Sequence, residues 1–140
     1  GRRINDGMSK WIGEQLFLEM NKKNINISNS RILILGFAFK ENCPDVRNTK
    51  VYDLARILKK HNLKLDIIDP WVDSKEVQDI YQIEVLNSLN NKNYDVAILA
   101  VAHKDFVKMT IKEWEGLIKS NGIFFDLKGI IPRKLSPIRI

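Results

Sequence analysis

RILILGFAFKENCPDVRNTKV, residues 31–51, holds an apolar run, a turn with a single glycine, and the first residue of a helical pattern. Arg31–Leu35 reads as a strand. Val51, Leu54, Ala55 and Leu58 fall on one side of a helix. Strand, turn and helix in that order are the unit of an α/β protein, and the pattern recurs on the C-terminal side. Leu63–Ile68 is a second strand, closed by Asp69-Pro70, where a ladder cannot continue. Ser74 is expected to cap a short helix through Tyr81, and Ile83–Leu86 to form a short third strand. Asp95–Val101 (DVAILAV) is a buried strand. Thr110 caps a helix over Ile111–Lys119 that Asn121-Gly122 stops, and Ile123–Asp126 is the last strand. On the N-terminal side, Ile4, Met8, Ile12, Leu16 and Met20 repeat every four residues, giving a helix from about Asn5 to Lys23. Asn24–Ser30 is a polar connector.

Apolar strands alternating with helices mean a parallel sheet covered on both faces. The expected fold is α/β, a Rossmann-like doubly wound parallel sheet preceded by a long N-terminal helix. Residues 1–26 are set apart from 27–140. The helix's apolar stripe is expected to stay uncovered by the sheet, leaving a surface that self-associates or docks on a neighbour.

The chain has 140 residues, 44% of them hydrophobic and 29% charged, as an ordinary globular domain has. No apolar run approaches the roughly 18 residues of a membrane span, so no membrane partner is expected. A single cysteine fits a reducing, cytoplasmic setting. The chain opens at Gly1-Arg2-Arg3 without methionine and is expected to be part of something longer. The net charge of +6 is scattered, with no stripe of basic and aromatic residues, which argues against nucleic acid and for a small anion or a solvated surface.

In a doubly wound sheet, ligands lie beyond the carboxyl ends of the strands. Gly36–Arg47, Asp69-Pro70, Ala102–Lys104 and Asp126–Lys128 should share that edge, and Lys40, Arg47, Lys104 and Lys128 would make it cationic, suited to a phosphate-bearing small molecule. A dinucleotide is the rival ligand, with Asp66 or Asp69 placed to hold a ribose. The turn fails that test: Ala38 and Glu41 stand where G-x-G-x-x-G needs its second and third glycines. Cys43 has Lys40 and Arg47 to activate it, but Asp45 opposes them. A Cys43–His103 pair is open in principle, a space-filling cysteine is the simpler reading, and His61 is read as solvated at a helix end. Asp45 is expected to bond loop amides or to pair with Arg47. No Cys, His and carboxylate cluster has metal-ligand spacing.

GRRIND-M at 1–8, ILGFAFKENCPDVRNTKV at 34–51, DP-V at 69–72, AVAH--F at 100–106 and FDLKG at 125–129 together resemble the C-terminal, nucleotide-sugar-binding domain of the UDP-glucose/GDP-mannose dehydrogenase family. The resemblance implies a full-length enzyme that oxidises a sugar C6 alcohol to the acid with two NAD. The NAD domain and the catalytic cysteine would lie outside this chain, so no catalytic residue is expected in it. The helix would close a central dimer-forming region, making the whole enzyme a homodimer. By resemblance Phe39, Lys40 and Lys128 contact the UDP-sugar, and Arg47 reaches the NAD pyrophosphate. Arg2 and Arg3 would approach either the substrate or a partner subunit. The spelling FKENCPDVRNT is similar to the UDP-N-acetylhexosamine branch, which serves capsule or O-antigen synthesis. Two alternatives stay open: a stand-alone nucleotide-binding or regulatory module, and a cysteine hydrolase using Cys43 and His103.

Overall fold

The computed structural model describes residues 2–89 and 91–140, and in the first helix the side chains from Gly7 on. Ile4, Arg2 and Arg3, singled out above, therefore have side chains outside the described residues. The elements run α1 (Arg2–Lys22), β1 (Arg31–Leu35), α2 (Val51–Lys59), β2 (Lys64–Ile68), α3 (Ser74–Tyr81), β3 (Tyr94–Leu99), α4 (Lys104–Val107), α5 (Ile111–Glu115), β4 (Ile118–Asp126), a 3₁₀ turn (Arg133–Leu135) and β5 (Ile138–Arg139). All strand pairs are parallel, in the order β2-β1-β3-β4-β5. Chain direction across the sheet reverses between β1 and β3, so the crevice beyond their carboxyl ends is the topological switch point.

Alternation along each strand builds two cores. Ile32, Ile34, Ile67, Val96, Ile98 and Phe125 face Leu54, Ala55 and Leu58 of α2. Leu33, Leu35, Ala97, Leu99 and Phe124 face Phe106 of α4 and Trp114 of α5. The central strands β1 and β3 are buried on both faces, which is why they read as unbroken apolar runs. Among the described residues no helix is long and apolar enough to cross a membrane.

Four local expectations need correction. Asp73, not Ser74, caps α3: its carboxylate accepts from the amides of Lys75 and Glu76, while the Ser74 hydroxyl donates to the Val85 carbonyl at 2.6 Å. Ile83–Leu86 forms no strand, only a single bridge from Leu86 to Ile68. The helix after Thr110 has its capping box but ends at Glu115, and the chain enters β4 at Ile118, well before Ile123. Asn121-Gly122 is thus inside an irregular strand, where a Cβ on Gly122 would come within 2.8 Å of Ile118 Cβ.

The fourth correction concerns α1. Leu16 and Met20 are fully buried in the same core as the sheet, and Ile12 packs against it. Burial of one such side chain is worth about 1.5–3 kcal/mol. Gly13 lets α1 approach α2 closely, since a Cβ there would lie 3.2 Å from Ile57 Cγ2. The connector is no loose tether. Ile25 and Ile27 pack on that core, and the Ser30 carbonyl accepts from Lys64 at the start of β2. Among the described residues of the stripe only Met8 stays open, 51% exposed, beside Trp11 at 44%.

Candidate functional site

The turn after β1 is shaped by close approach of β1 and β3. Gly36 has φ 103°, and an added Cβ would lie 2.5 Å from Val101 Cβ. Only glycine fits. Phe37 then turns into the core, and the Phe37 and Ala38 amides donate to Asp69 Oδ2 at 2.7 and 2.9 Å. Further along, the Phe39 amide donates to the Asp45 carbonyl at 2.7 Å and the Thr49 hydroxyl donates to the Phe37 carbonyl at 2.6 Å. The Tyr81 hydroxyl donates to the Val46 carbonyl. The result is a tied loop whose crest, Phe39 to Asn42, is exposed, Phe39 at 51%.

That crest walls a cleft of about 240 Å³ floored by Ala100 and Val101. Phe39, Lys40, Lys50 and Lys128 line it, and Glu41 is the one carboxylate beside them. Lys50 and Lys128 also line an adjoining apolar groove of about 580 Å³ walled by Met8, Trp11, Ile12, Leu54 and Ile140. Lys40, Lys50 and Lys128 belong to none of the ion pairs among the described residues, which are Glu19–Lys22, Asp45–Arg47, Asp69–His103, Asp95–Lys119 and Asp126–Arg139. Three ammonium groups against one carboxylate on one small cleft suit an anion with several oxygens.

Of the four cations expected on this edge, Lys40 and Lys128 meet in the cleft and two do not. Lys104 lies over the Trp71 ring at 5.2 Å. Arg47 is 79% exposed, outside the cleft-lining set, and forked onto Asp45 through Nε at 3.1 Å and Nη2 at 3.2 Å. That guanidinium, through its hydrogen bonds first, holds the Asp45 carboxyl below its ordinary range. Asp45 also accepts the Arg47 amide, so both expected roles of Asp45 are present.

His103 does not pair with Cys43. It is fully buried, its Nδ1 accepts the Asn42 amide at 2.9 Å, and its Nε2 lies 2.9 Å from Asp69 Oδ2. Neither ring nitrogen is left to take a thiol proton. Asp69 is fully buried too, and its Oδ1 accepts the Trp71 amide at 2.8 Å. Burial alone would raise its pKa, but the bonds from His103, Phe37, Ala38 and Trp71 outweigh it and hold the carboxyl below its ordinary value. Neither acid proposed for a ribose is free, since Asp66 accepts the Tyr94 hydroxyl at 2.6 Å. His61 is exposed as read, with its ring edge-on to Phe17.

Sequence reading missed Lys50, which precedes the first residue of α2 and adds no side-chain cap to it. Its place at the start of the helix after the first strand was the available signal. The buried Asp126 was also missed as a loop organiser: it accepts the amides of Lys128, Gly129 and Ile131 at 3.1, 2.8 and 2.8 Å, which fixes where Lys128 leaves the sheet.

Residues 33–133 match the model of the UDP-glucose/GDP-mannose dehydrogenase family, UDP binding domain. The UDP-N-acetyl-D-glucosamine 6-dehydrogenase of Salmonella typhi is 44% identical over all 140 residues, and that of Pseudomonas aeruginosa 39%. In both, the match spans 100% of this chain and 33% of the relative, so the chain is about a third of their length. The solved structure of an NDP-N-acetyl-D-galactosaminuronic acid dehydrogenase from Methanosarcina mazei Go1 shares the fold, with a TM-score of 0.83 at 19% identity, over 96% of this chain and 28% of that one.

Proposed function

The chain belongs to the UDP-glucose/GDP-mannose dehydrogenase family, and on that premise we propose that its cleft at the β1/β3 switch point binds the UDP moiety of a nucleotide sugar. The observation that carries this is the convergence of Lys40, Lys50 and Lys128, none of them ion-paired among the described residues, on one cleft of about 240 Å³. Phe39 supplies an exposed aromatic face at its rim. A diphosphate brings charge and several acceptor oxygens, and each ammonium contact is worth about 1.5–3 kcal/mol.

In the longer protein, the domain closes an active site whose catalytic cysteine and NAD fingerprint lie elsewhere, and the whole oxidises a UDP-hexose or UDP-N-acetylhexosamine to the uronic acid with two NAD. The N-acetylhexosamine branch is favoured by the names of the relatives that match over the whole chain. Arg47, outside the cleft and free to exchange Asp45 for another anion, is the residue assigned to the NAD pyrophosphate. Residues 1–26 are assigned to the end of the central helical region of a homodimer, whose Leu16 and Met20 pack into the core of the nucleotide-sugar domain assigned to 27–140. A cytoplasmic role in polysaccharide synthesis completes the proposal.

Calorimetry with UDP on this chain tests it. Binding should weaken about ten- to a hundredfold in Lys40→Ala and in Lys128→Ala, and weaken with added salt in the unaltered chain. Binding insensitive to all three would refute the placement. NAD reduction with UDP-sugars by this chain should stay at background; turnover would contradict the assignment of catalysis to other parts of the protein.

A further inference from the structure

The exposed crest that presents Phe39 and Lys40 has almost no hydrophobic anchorage of its own, and its two ends are instead joined through a buried histidine. On the near side, the Phe37 and Ala38 amides donate to Asp69 Oδ2. On the far side, the Asn42 amide donates to His103 Nδ1 at 2.9 Å. Because Nδ1 accepts an N–H, the ring proton is on Nε2, which donates to Asp69 at 2.9 Å. His103 thereby closes a ring of hydrogen bonds from Asn42 through Asp69 back to Phe37. The Asn42 side chain secures the same crossing by accepting the Lys104 amide at 2.8 Å, and Trp71 stacks on the imidazole with ring centres 5.8 Å apart.

We propose that His103 is a positioning residue for the nucleotide cleft, setting Phe39 and Lys40 through the Asn42 amide rather than by touching the ligand. The inference rests on the reading of the cleft as a UDP site. Its two bonds have separable consequences. The Nε2 bond to Asp69 satisfies a buried carboxylate and stabilises the fold. The Nδ1 bond to Asn42 holds the crest and governs affinity.

Two substitutions divide the bonds. Asn places its oxygen near Nδ1 but does not reach Asp69; Gln places its amide nitrogen near Nε2 but offers Asn42 no acceptor. His103→Gln should therefore be the more stable variant yet bind UDP about tenfold more weakly than the unaltered chain, while His103→Asn should be the less stable yet bind within about threefold of it. In His103→Gln the Asn42 amide should lose its protection from hydrogen exchange while the Phe37 and Ala38 amides keep theirs. A purely structural histidine would make affinity follow stability, and that result overturns the proposal. Unaltered affinity in a folded His103→Gln also overturns it. Failure of the unaltered chain to bind UDP instead overturns the reading of the cleft, and this proposal with it. Should His103→Gln not fold, a long-range ¹H–¹⁵N spectrum of the unaltered chain decides: an unprotonated Nδ1 whose signal shifts with the Asn42 amide on UDP addition supports the role, and a protonated Nδ1 refutes it.

Discussion

Asp69 and Asp126 stand at equivalent places, just past β2 and at the end of β4, both fully buried and both filled with backbone amides. Their reach differs. Asp126 gathers the amides of Lys128, Gly129 and Ile131, a local turn that aims Lys128, and its one partner from farther along is Arg139, whose Nε lies 3.4 Å from Oδ2. Asp69 gathers amides from the turn after β1 and a histidine from the loop after β3, so one carboxylate joins three strand ends around the switch point. A glycine with positive φ sits in each region, and they differ in the same sense: Gly36 abuts Val101, whereas nothing lies within 4 Å of a Cβ on Gly129. One side of the cleft is over-determined by tertiary contacts. The other is set mainly by its own chain.

Asp69→Asn should have the largest effect, a loss of about 3–5 kcal/mol, because an amide nitrogen in place of one oxygen leaves at least two of the buried donors from His103, Phe37, Ala38 and Trp71 without an acceptor, at about 1–3 kcal/mol each. Chemical denaturation of Asp126→Asn should show a smaller loss, about 1–3 kcal/mol, with UDP affinity falling because Lys128 is no longer aimed. Equal losses would break the comparison. Gly36→Ala should cost more than Gly129→Ala, the first adding a clash to a strained φ and the second the strain alone, about 1–2 kcal/mol. Acid unfolding sharpens the contrast further. The Asp69 pKa is lowered by folding, so its contribution is fully present above the ordinary aspartate value and is lost as pH falls through the folded-state value, below about pH 4. The stability gap between the unaltered chain and Asp69→Asn should therefore narrow in that window and be constant above it. Asp45→Ala should do least: its partner Arg47 is solvated, so the melting temperature should not move.

The strands were legible because a sheet covered on both faces imposes long apolar runs, and Arg31–Leu35 has the bounds expected of it. The burial of Leu16 and Met20 was not, since a four-residue repeat shows which face of a helix is apolar and not what covers it. The end of α5 escaped for a related reason: Ile118 continues a helical spacing as readily as it begins a strand, and pairing with Tyr94 decides between them. In the site, Phe39, Lys40 and Lys128 could be placed on one edge from strand ends alone. Lys50, one residue ahead of α2 in the same turn, was within reach of that reading, whereas the Asp69–His103 bond depends on how separate loops meet, 34 residues apart.

Titration of UDP into the ¹⁵N-labelled chain, followed by amide shifts, tests the central claim most directly. Shifts should concentrate on Phe39, Lys40, Lys50, Val101 and Lys128, the cleft at the β1/β3 switch point, and leave the amino-terminal edge around Arg31 and Lys64 unmoved. Shifts confined to other surfaces, or none up to about 10 mM UDP, where any Kd below about 1 mM would show, would contradict it.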